Sequence, residues 1–370
     1  MSEPVAQNEL GRYAARLEEA QRIKGVSLGR DAWRRLRKNY VAMFSLGFLV
    51  LLSVLAVLTP LLPLQPPNRL DTDEKYAAPE YSPLFLDTFK ICDAQGNLDD
   101  AAVKSDFGGL KDFDQLLLKG RVALFGNREL NSWCGRDELG RDVLARLFWG
   151  ARLSLAVALV AALVSLVIGV SYGAVSGYLG GRIDNAMMRF VDVLYAVPFI
   201  YVVLFLMSIL GQPKIKEELE KYHIHRITIF FLVIGAVFWL TMARVVRGQV
   251  MSLKNEQFIE AARTIGAGKM RIIFRHLVPN VLSVIIVYIT LTIPKVMLFE
   301  AFLSFLGQGV QEPDVSWGLL ANAGVKVITP IQVYWWLVVY PSLALGLTLF
   351  SLNFLGDGLR DALDPRLKNK

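Results

Sequence analysis

Leu153-Ser-Leu-Ala-Val-Ala-Leu-Val-Ala-Ala-Leu-Val-Ser-Leu-Val-Ile-Gly-Val-Ser-Tyr-Gly-Ala-Val-Ser-Gly-Tyr178 runs without a single charged side chain. As a helix rising about 1.5 Å per residue, it is longer than the roughly 30 Å hydrocarbon core of a bilayer. Five more apolar runs flank it, at 41–62, 190–210, 227–243, 277–306 and 333–355. The composition agrees: 370 residues, 54% hydrophobic and only 20% charged, with a mean hydropathy of +0.42. Such a balance disfavours a disordered chain and a typical soluble enzyme, and two cysteines cannot build a disulfide framework. The expected fold class is all-α, a polytopic membrane protein with six transmembrane helices.

The runs differ at their edges. The first, 41–62, ends in the proline-rich stretch from Pro60 to Pro67. Some forty residues precede it, too many for the short basic leader of a cleavable signal, so it reads as an anchor that stays in the chain. Asp192 sits near the start of 190–210, placed either to snorkel or to pair with Arg189, while Arg244 and Arg247 stop 227–243. The last run opens on Tyr334, Trp335 and Trp336, a cluster suited to a membrane interface. Gly169, Gly173 and Gly177 recur every fourth residue and allow a close helix approach. Val143 to Trp149 reads as an interfacial amphipathic helix at the outer face.

A net charge of +7 raises the question of nucleic acid, and the placement of the charges answers it. With the N-terminus in the cytoplasm, segments 1–40, 178–189, 244–277 and 357–370 hold 22 basic against 11 acidic residues; the opposite segments 64–152, 211–226 and 307–333 hold 17 against 20. Basic residues collect on the cytoplasmic side of membrane proteins, so both termini are expected there, and no contiguous basic footprint for nucleic acid is left. The plan is a cytoplasmic segment 1–40, an anchor helix 41–62, an extracytoplasmic loop 63–151, a five-helix core 152–357 and a cytoplasmic tail 358–370. The loop is expected to form a small, partly ordered element. It holds Cys92 and Cys134; a bond between them would close about forty residues, worth ~3–4 kcal/mol, and two free thiols fit the sequence equally.

One stretch does not belong in a bilayer: Asn255-Glu-Gln-Phe-Ile-Glu-Ala-Ala-Arg-Thr-Ile-Gly-Ala-Gly-Lys-Met-Arg-Ile-Ile-Phe-Arg-His-Leu-Val-Pro279. Phe258, Ala261, Ala262 and Ile265 share helical spacing and form an expected apolar face. Gly266 and Gly268 end that helix and permit a turn. A second short helix follows, with Met270, Ile273 and Phe274 on one side. Such a helix fits a groove on another protein or lies on the membrane surface, and the residues by themselves leave both open.

The wording of this stretch resembles a known family. Glu260-Ala261-Ala262, Gly266 and Pro279 stand as in the loop of ABC importer permeases that docks into paired ATPase subunits. Arg37-Lys38-Asn39 with Ala42-Met43 is similar to the start of the C subunits of oligopeptide and dipeptide permeases. So are Asp137-Glu-Leu-Gly140-Arg141-Asp142 with Arg146 and Gly150-Ala151-Arg152, Gly177-Tyr-Leu-Gly180-Gly181-Arg182-Ile-Asp184 and Met188-Arg189-Phe-Val-Asp192. Leu303-Ser-Phe-Leu-Gly307, Ser316-Trp317-Gly318 and Asn353-Phe-Leu-Gly356-Asp357-Gly358 complete the series. The resemblance covers about residues 34–62 and 135–367. His276, Gln308 and the Glu312-Pro-Asp-Val run depart from the usual wording, and 64–134 is longer than typical.

The resemblance implies a type I ABC importer permease fold and a subunit of an ATP-driven, binding-protein-dependent importer, of oligopeptides or dipeptides, with nickel, opine or glycoside substrates open. It implies alternating access, with loop 255–279 as the coupling segment and Phe258, Glu260, Ala261, Ala262 and Gly266 as its contact and turn residues. The implied partners are a homologous second permease, two ATP-binding subunits carrying ATP-Mg, and an extracytoplasmic binding protein. No Gly-x4-Gly-Lys-[Ser/Thr] loop exists, so this chain holds no nucleotide in that way and no cofactor, metal or catalytic group is expected of it. Pro294, Lys295 and Glu300, inside run 277–306, are candidates for a pathway or gate, since charge within a membrane span is costly. Two rivals are an ion-gradient secondary transporter, which would need more buried ionisable groups than Lys295 and Glu300, and a non-transporting membrane scaffold.

Overall fold

A backbone in hydrocarbon must satisfy its own polar groups, and these apolar runs do so as helices. A computed structural model describes residues 28–91, 98–210, 212–221 and 226–363. In chain order come α1 (Leu28–Leu36), α2 (Tyr40–Val57), a two-stranded antiparallel ribbon of β1 (Phe85–Leu86) and β2 (Glu129–Leu130), and between those strands α3 (Asp100–Phe107) and α4 (Asp112–Phe125). Then follow α5 (Val143–Leu179), α6 (Gly181–Ala196), α7 (Phe199–Leu210), α8 (Pro213–Lys221) and α9 (Arg226–Leu253). The rest is α10 (Gln257–Thr264), α11 (Lys269–Arg271), a π-helical turn at Ile272–Leu277, α12 (Val278–Asn280), α13 (Leu282–Phe305), α14 (Trp317–Lys326) and α15 (Trp335–Leu363).

Among the described residues five helices, α2, α5, α9, α13 and α15, are long and apolar enough to cross a membrane. The expected single span at 190–210 is instead α6 and α7, bent by 74° where Val197 and Pro198 interrupt them. The residue before a proline is pushed out of the helical region, and Val197 has an extended backbone. Arg244 and Arg247 do not stop the fourth span, because α9 runs on to Leu253. Val143 to Trp149 forms the first two turns of α5, continuous with the span, and the 37 residues of α5 reach about 55 Å.

Helices α5 and α9 cross along the glycine ladder. A Cβ on Gly169 would stand 2.6 Å from the Met242 Cβ and one on Gly177 2.7 Å from the Arg247 carbonyl oxygen, while one on Gly173 would fall onto the Ala243 carbonyl oxygen. On the opposing helix, a Cβ on Gly235 would meet Val164 at 2.7 Å. Without side chains in between, the backbones approach as small residues allow in membranes. The main core, built from α5, α7, α9, α13 and α14, includes Val157, Ala161, Met207, Ile234, Met297 and Trp317.

Two ends follow from the contacts. Gly358 packs against Ala42, and Asp184 meets Arg247, at one end; Thr59 approaches the Phe148 carbonyl and the Trp336 indole donates to the Arg136 carbonyl at the other. The second end carries a small element with its own core of Phe89, Ile91, Val103 and Leu118. There the Arg121 guanidinium lies 3.2 Å from the centroid of the Phe89 ring and donates to the Leu64 carbonyl at 2.9 Å. Cys134, buried here, has its thiol pushed up to about 12 by burial and then by the Asp142 charge; Cys92, and with it the pairing, lies outside the described residues.

Candidate functional site

Helix α10 and the turn after it form a step at the first end. Ile259 and Ala262 are buried in a cluster with Ala174, Val250, Ile273 and Leu277. Phe258, Glu260, Ala261 and Ile265 are exposed, Ile265 at 87%. The expected apolar face of Phe258, Ala261, Ala262 and Ile265 is therefore divided. Ala262 joins the inner row, with Ile259, a residue the spacing alone did not single out. Phe258, Ala261 and Ile265 form an outer row that is left exposed among the described residues. Met270 and Phe274 likewise point away from the body while Ile272 and Ile273 are buried. The Glu260 carboxylate is exposed and makes no hydrogen bond or ion pair among the described residues. Gly266 ends the step with φ at +86°, left-handed backbone that glycine adopts without strain. The result is a group of exposed apolar side chains at the end of a membrane bundle, of the kind that marks a surface for a protein or for the membrane.

What lies behind the step is bonded to it. Arg263 of α10 donates to the Lys254 carbonyl at 3.2 Å, and its guanidinium stands 5.5 Å from the centroid of the Tyr178 ring. Lys254 Nζ donates to the Gly177 carbonyl at 3.3 Å. Arg247 of α9 then grips Asp184 of α6 with two bonds, Nε to Oδ1 and Nη2 to Oδ2, each at 2.6 Å, and the Ser176 hydroxyl of α5 donates to Oδ1 at 2.5 Å. This bidentate pair is the strong form of a charged hydrogen bond. Nearby, Asp192 pairs with Arg244 at 2.8 Å and not with Arg189. Contacts thus run from α10 to the ends of α5 and α9, and the Arg247–Asp184 pair ties α9 to α6. Asp184 and Arg247 were missed as partners; opposite charges near neighbouring ends of two apolar runs were the available signal.

The gate candidates do not converge. Pro294 is buried inside α13 and Lys295 is exposed on it. Glu300 has no exposed surface. Its carboxylate accepts from Ser304 Oγ at 2.7 Å and Ser154 Oγ at 3.4 Å, and Ser154 Oγ accepts in turn from the Trp317 backbone N–H at 3.3 Å. Glu300 is a tie between α13, α5 and α14. At the far end the Asp137–Arg146 segment also serves packing. Asp137 accepts from Arg141 Nε at 2.8 Å and from Arg146, and Glu312 pairs with Arg141 at 2.8 Å and Arg146 at 3.0 Å. Burial raises the Glu312 carboxyl, but the two guanidinium groups outweigh it and hold the group below the ordinary carboxylate range. The unusual Glu312 wording is thereby accounted for: it fastens the loop after α13 to the start of α5.

Residues 169–369 match the family described as "Binding-protein-dependent transport system inner membrane component", and residues 27–79 match the "N-terminal TM domain of oligopeptide transport permease C". The chain is 39% identical over 352 residues to the dipeptide transport system permease protein DppC of Bacillus subtilis, covering 95% of this chain and 90% of that one. It is 36% identical over 366 residues to the oligopeptide transport system permease protein OppC of the same organism, with 98% and 99% covered. With OppC of Escherichia coli it shares 38% over 348 residues, 94% of each chain.

Proposed function

The chain belongs to the binding-protein-dependent transport system inner membrane components, and from that premise we propose that the outer face of α10 is where it meets an ATPase. It is an inner-membrane transport subunit and no enzyme, ATP hydrolysis belonging to a separate chain. The observation that carries the proposal is the division of α10: Ile259 and Ala262 anchor it to the bundle, while Phe258, Glu260, Ala261 and Ile265 are left outward. A docking helix needs both, an outer face for the partner and an inner face that transmits its movement.

In this reading the α10 end faces the cytoplasm and both termini lie there. Two partner ATPases bind ATP-Mg, a homologous second permease encloses the pathway with this chain, and an extracytoplasmic binding protein delivers substrate at the end carrying α3 and α4. Substrates are oligopeptides or dipeptides, which the names of the relatives support. Closure of the ATPase dimer moves α10, the Arg263–Lys254 and Arg247–Asp184 bonds carry the movement to α5, α6 and α9, and the bundle alternates between outward and inward access. Such coupling requires only a two-state bundle whose balance the distant nucleotide shifts. The test is co-purification in mild detergent with the genomic neighbours. The native chain retains an ATPase and a second permease; Glu260→Arg retains the permease and loses the ATPase. Equal ATPase recovery from both would refute the assignment of this face.

A further inference from the structure

Helix α1 has two opposite faces. Ala32 and Leu36 are buried against Ala42 of α2 and Ala362 of α15. The seat is tight, since a Cβ on Gly358 would collide with the Ala42 Cβ and stand 3.4 Å from a Leu36 methyl. Arg30, Trp33, Arg34 and Arg37 follow the i, i+3, i+4, i+7 spacing of a single helical stripe. All four are exposed, as is Lys38 beyond them. Trp33 is 45% exposed, and the Arg37 guanidinium lies 5.6 Å from the centroid of its ring. Asp31, the carboxylate of this helix, is taken by Arg35 at 2.9 Å. Among the described residues no carboxylate pairs with Arg30, Arg34, Arg37 or Lys38, and the exposed Asp357 and Asp361 at the end of α15 form no ion pair with them.

The level of this stripe in the bilayer follows from the sequence of elements. Tyr40 opens the membrane-crossing α2, with its N-terminus capped by the Asn39 side chain, so Lys38 stands two residues from the first residue of a span. Four cations that no carboxylate among the described residues pairs, with an indole beside them, meet phosphate and glycerol near that depth. A protein partner fits less well: the apolar side of α1 is already seated on α2 and α15, and Trp33 alone would have to supply the buried centre of an interface. We infer that the outer stripe of α1 binds anionic phospholipid headgroups, with Arg30, Arg34, Arg37 and Lys38 holding phosphate and Trp33 lying at the headgroup boundary. The inference rests on the membrane fold and is independent of the ATPase-docking reading of α10.

The experiment is electron paramagnetic resonance on the assembled complex with spin-labelled phosphatidylglycerol or phosphatidylcholine, reading the motionally restricted fraction of each lipid. The native complex retains phosphatidylglycerol over phosphatidylcholine by at least about fivefold, the factor expected for a single basic group near an anionic surface. The preference shrinks at high salt, because exposed charges are screened. It falls to about onefold when Arg30, Arg34, Arg37 and Lys38 all become glutamine, and persists when the three arginines become lysine. Should the quadruple variant fail to assemble, Arg34→Gln with Arg37→Gln takes its place, with an expected loss of at least about twofold. An undiminished preference in the glutamine variants, or none in the native complex, overturns the inference. So does loss of a protein partner with the lipid preference intact, which would assign the stripe to a protein.

Discussion

Asparagine at position 184 keeps the shape of the aspartate and removes the charge that α9 grips. In the native chain the Asp184 side chain is 4% exposed and takes two 2.6 Å bonds from Arg247, whose own side chain is 30% exposed. Breaking a fully buried pair by removing one partner costs about 3–5 kcal/mol, because the other charge is left uncompensated. Arg247 regains water on its open side, which discounts the loss to about 2–3 kcal/mol. That lowers the folded-to-unfolded ratio about 30- to 150-fold. The Ser176 hydroxyl keeps an acceptor in the amide, so its bond is retained. The assay is an SDS titration of the purified protein in mixed micelles, followed by helical circular dichroism, on Asp184→Asn, Arg247→Gln and the double variant. A coupling energy of at least about 1.5 kcal/mol is expected between the two positions. Additive losses, or a single-variant loss below about 0.5 kcal/mol, would refute the view that this pair fastens α6 to α9.

The glycine ladder gives a second expectation. Gly173→Leu places a side chain onto the Ala243 carbonyl, and backbone cannot step aside as a rotamer can, so α5 and α9 must part at a cost of about 3 kcal/mol; the same SDS titration measures it, and native stability would be contrary. The third concerns pH. Glu312 has its carboxyl held below its unfolded value, so its pairing stabilises the fold above a pH of about 4.3 and fades as the pH falls through the depressed folded value. The Glu312 side chain is half exposed, so the native chain exceeds Glu312→Gln by only about 1 kcal/mol at neutral pH. That difference vanishes in acid, which urea unfolding at stepped pH reads directly; a difference that grew in acid would be contrary.

Much of the architecture was legible because a bilayer writes it in the simplest code, long runs without charge. Where that code misled, a neighbouring helix supplied what the sequence lacked locally. Arg244 and Arg247 looked like a stop because a cation inside a span is costly, yet Asp192 and Asp184 of α6 stand opposite them and α9 continues. Glu300, singled out because charge in a span is costly, finds hydrogen-bond partners in Ser304 and Ser154, both in the chain. The break in the third span was readable from Pro198 but hidden by apolar residues on both sides. On α10 two apolar rows overlap, and helical spacing cannot say which row turns inward; that depends on Ala174 and Val250, many residues away. Gly266 and the glycine ladder were clear because turns and close approaches leave only one residue type free of strain or collision.

Photo-crosslinking of the assembled complex tests the central claim most directly. A benzoylphenylalanine is placed singly at Phe258 and Ile265, on the outer row of α10, and at Leu116, 66% exposed on α4 at the opposite end. Irradiation should join the ATPase to positions 258 and 265 and leave 116 without that adduct. An ATPase adduct at 116 with none at 258 or 265 would contradict both the docking face and the orientation of the chain in the membrane.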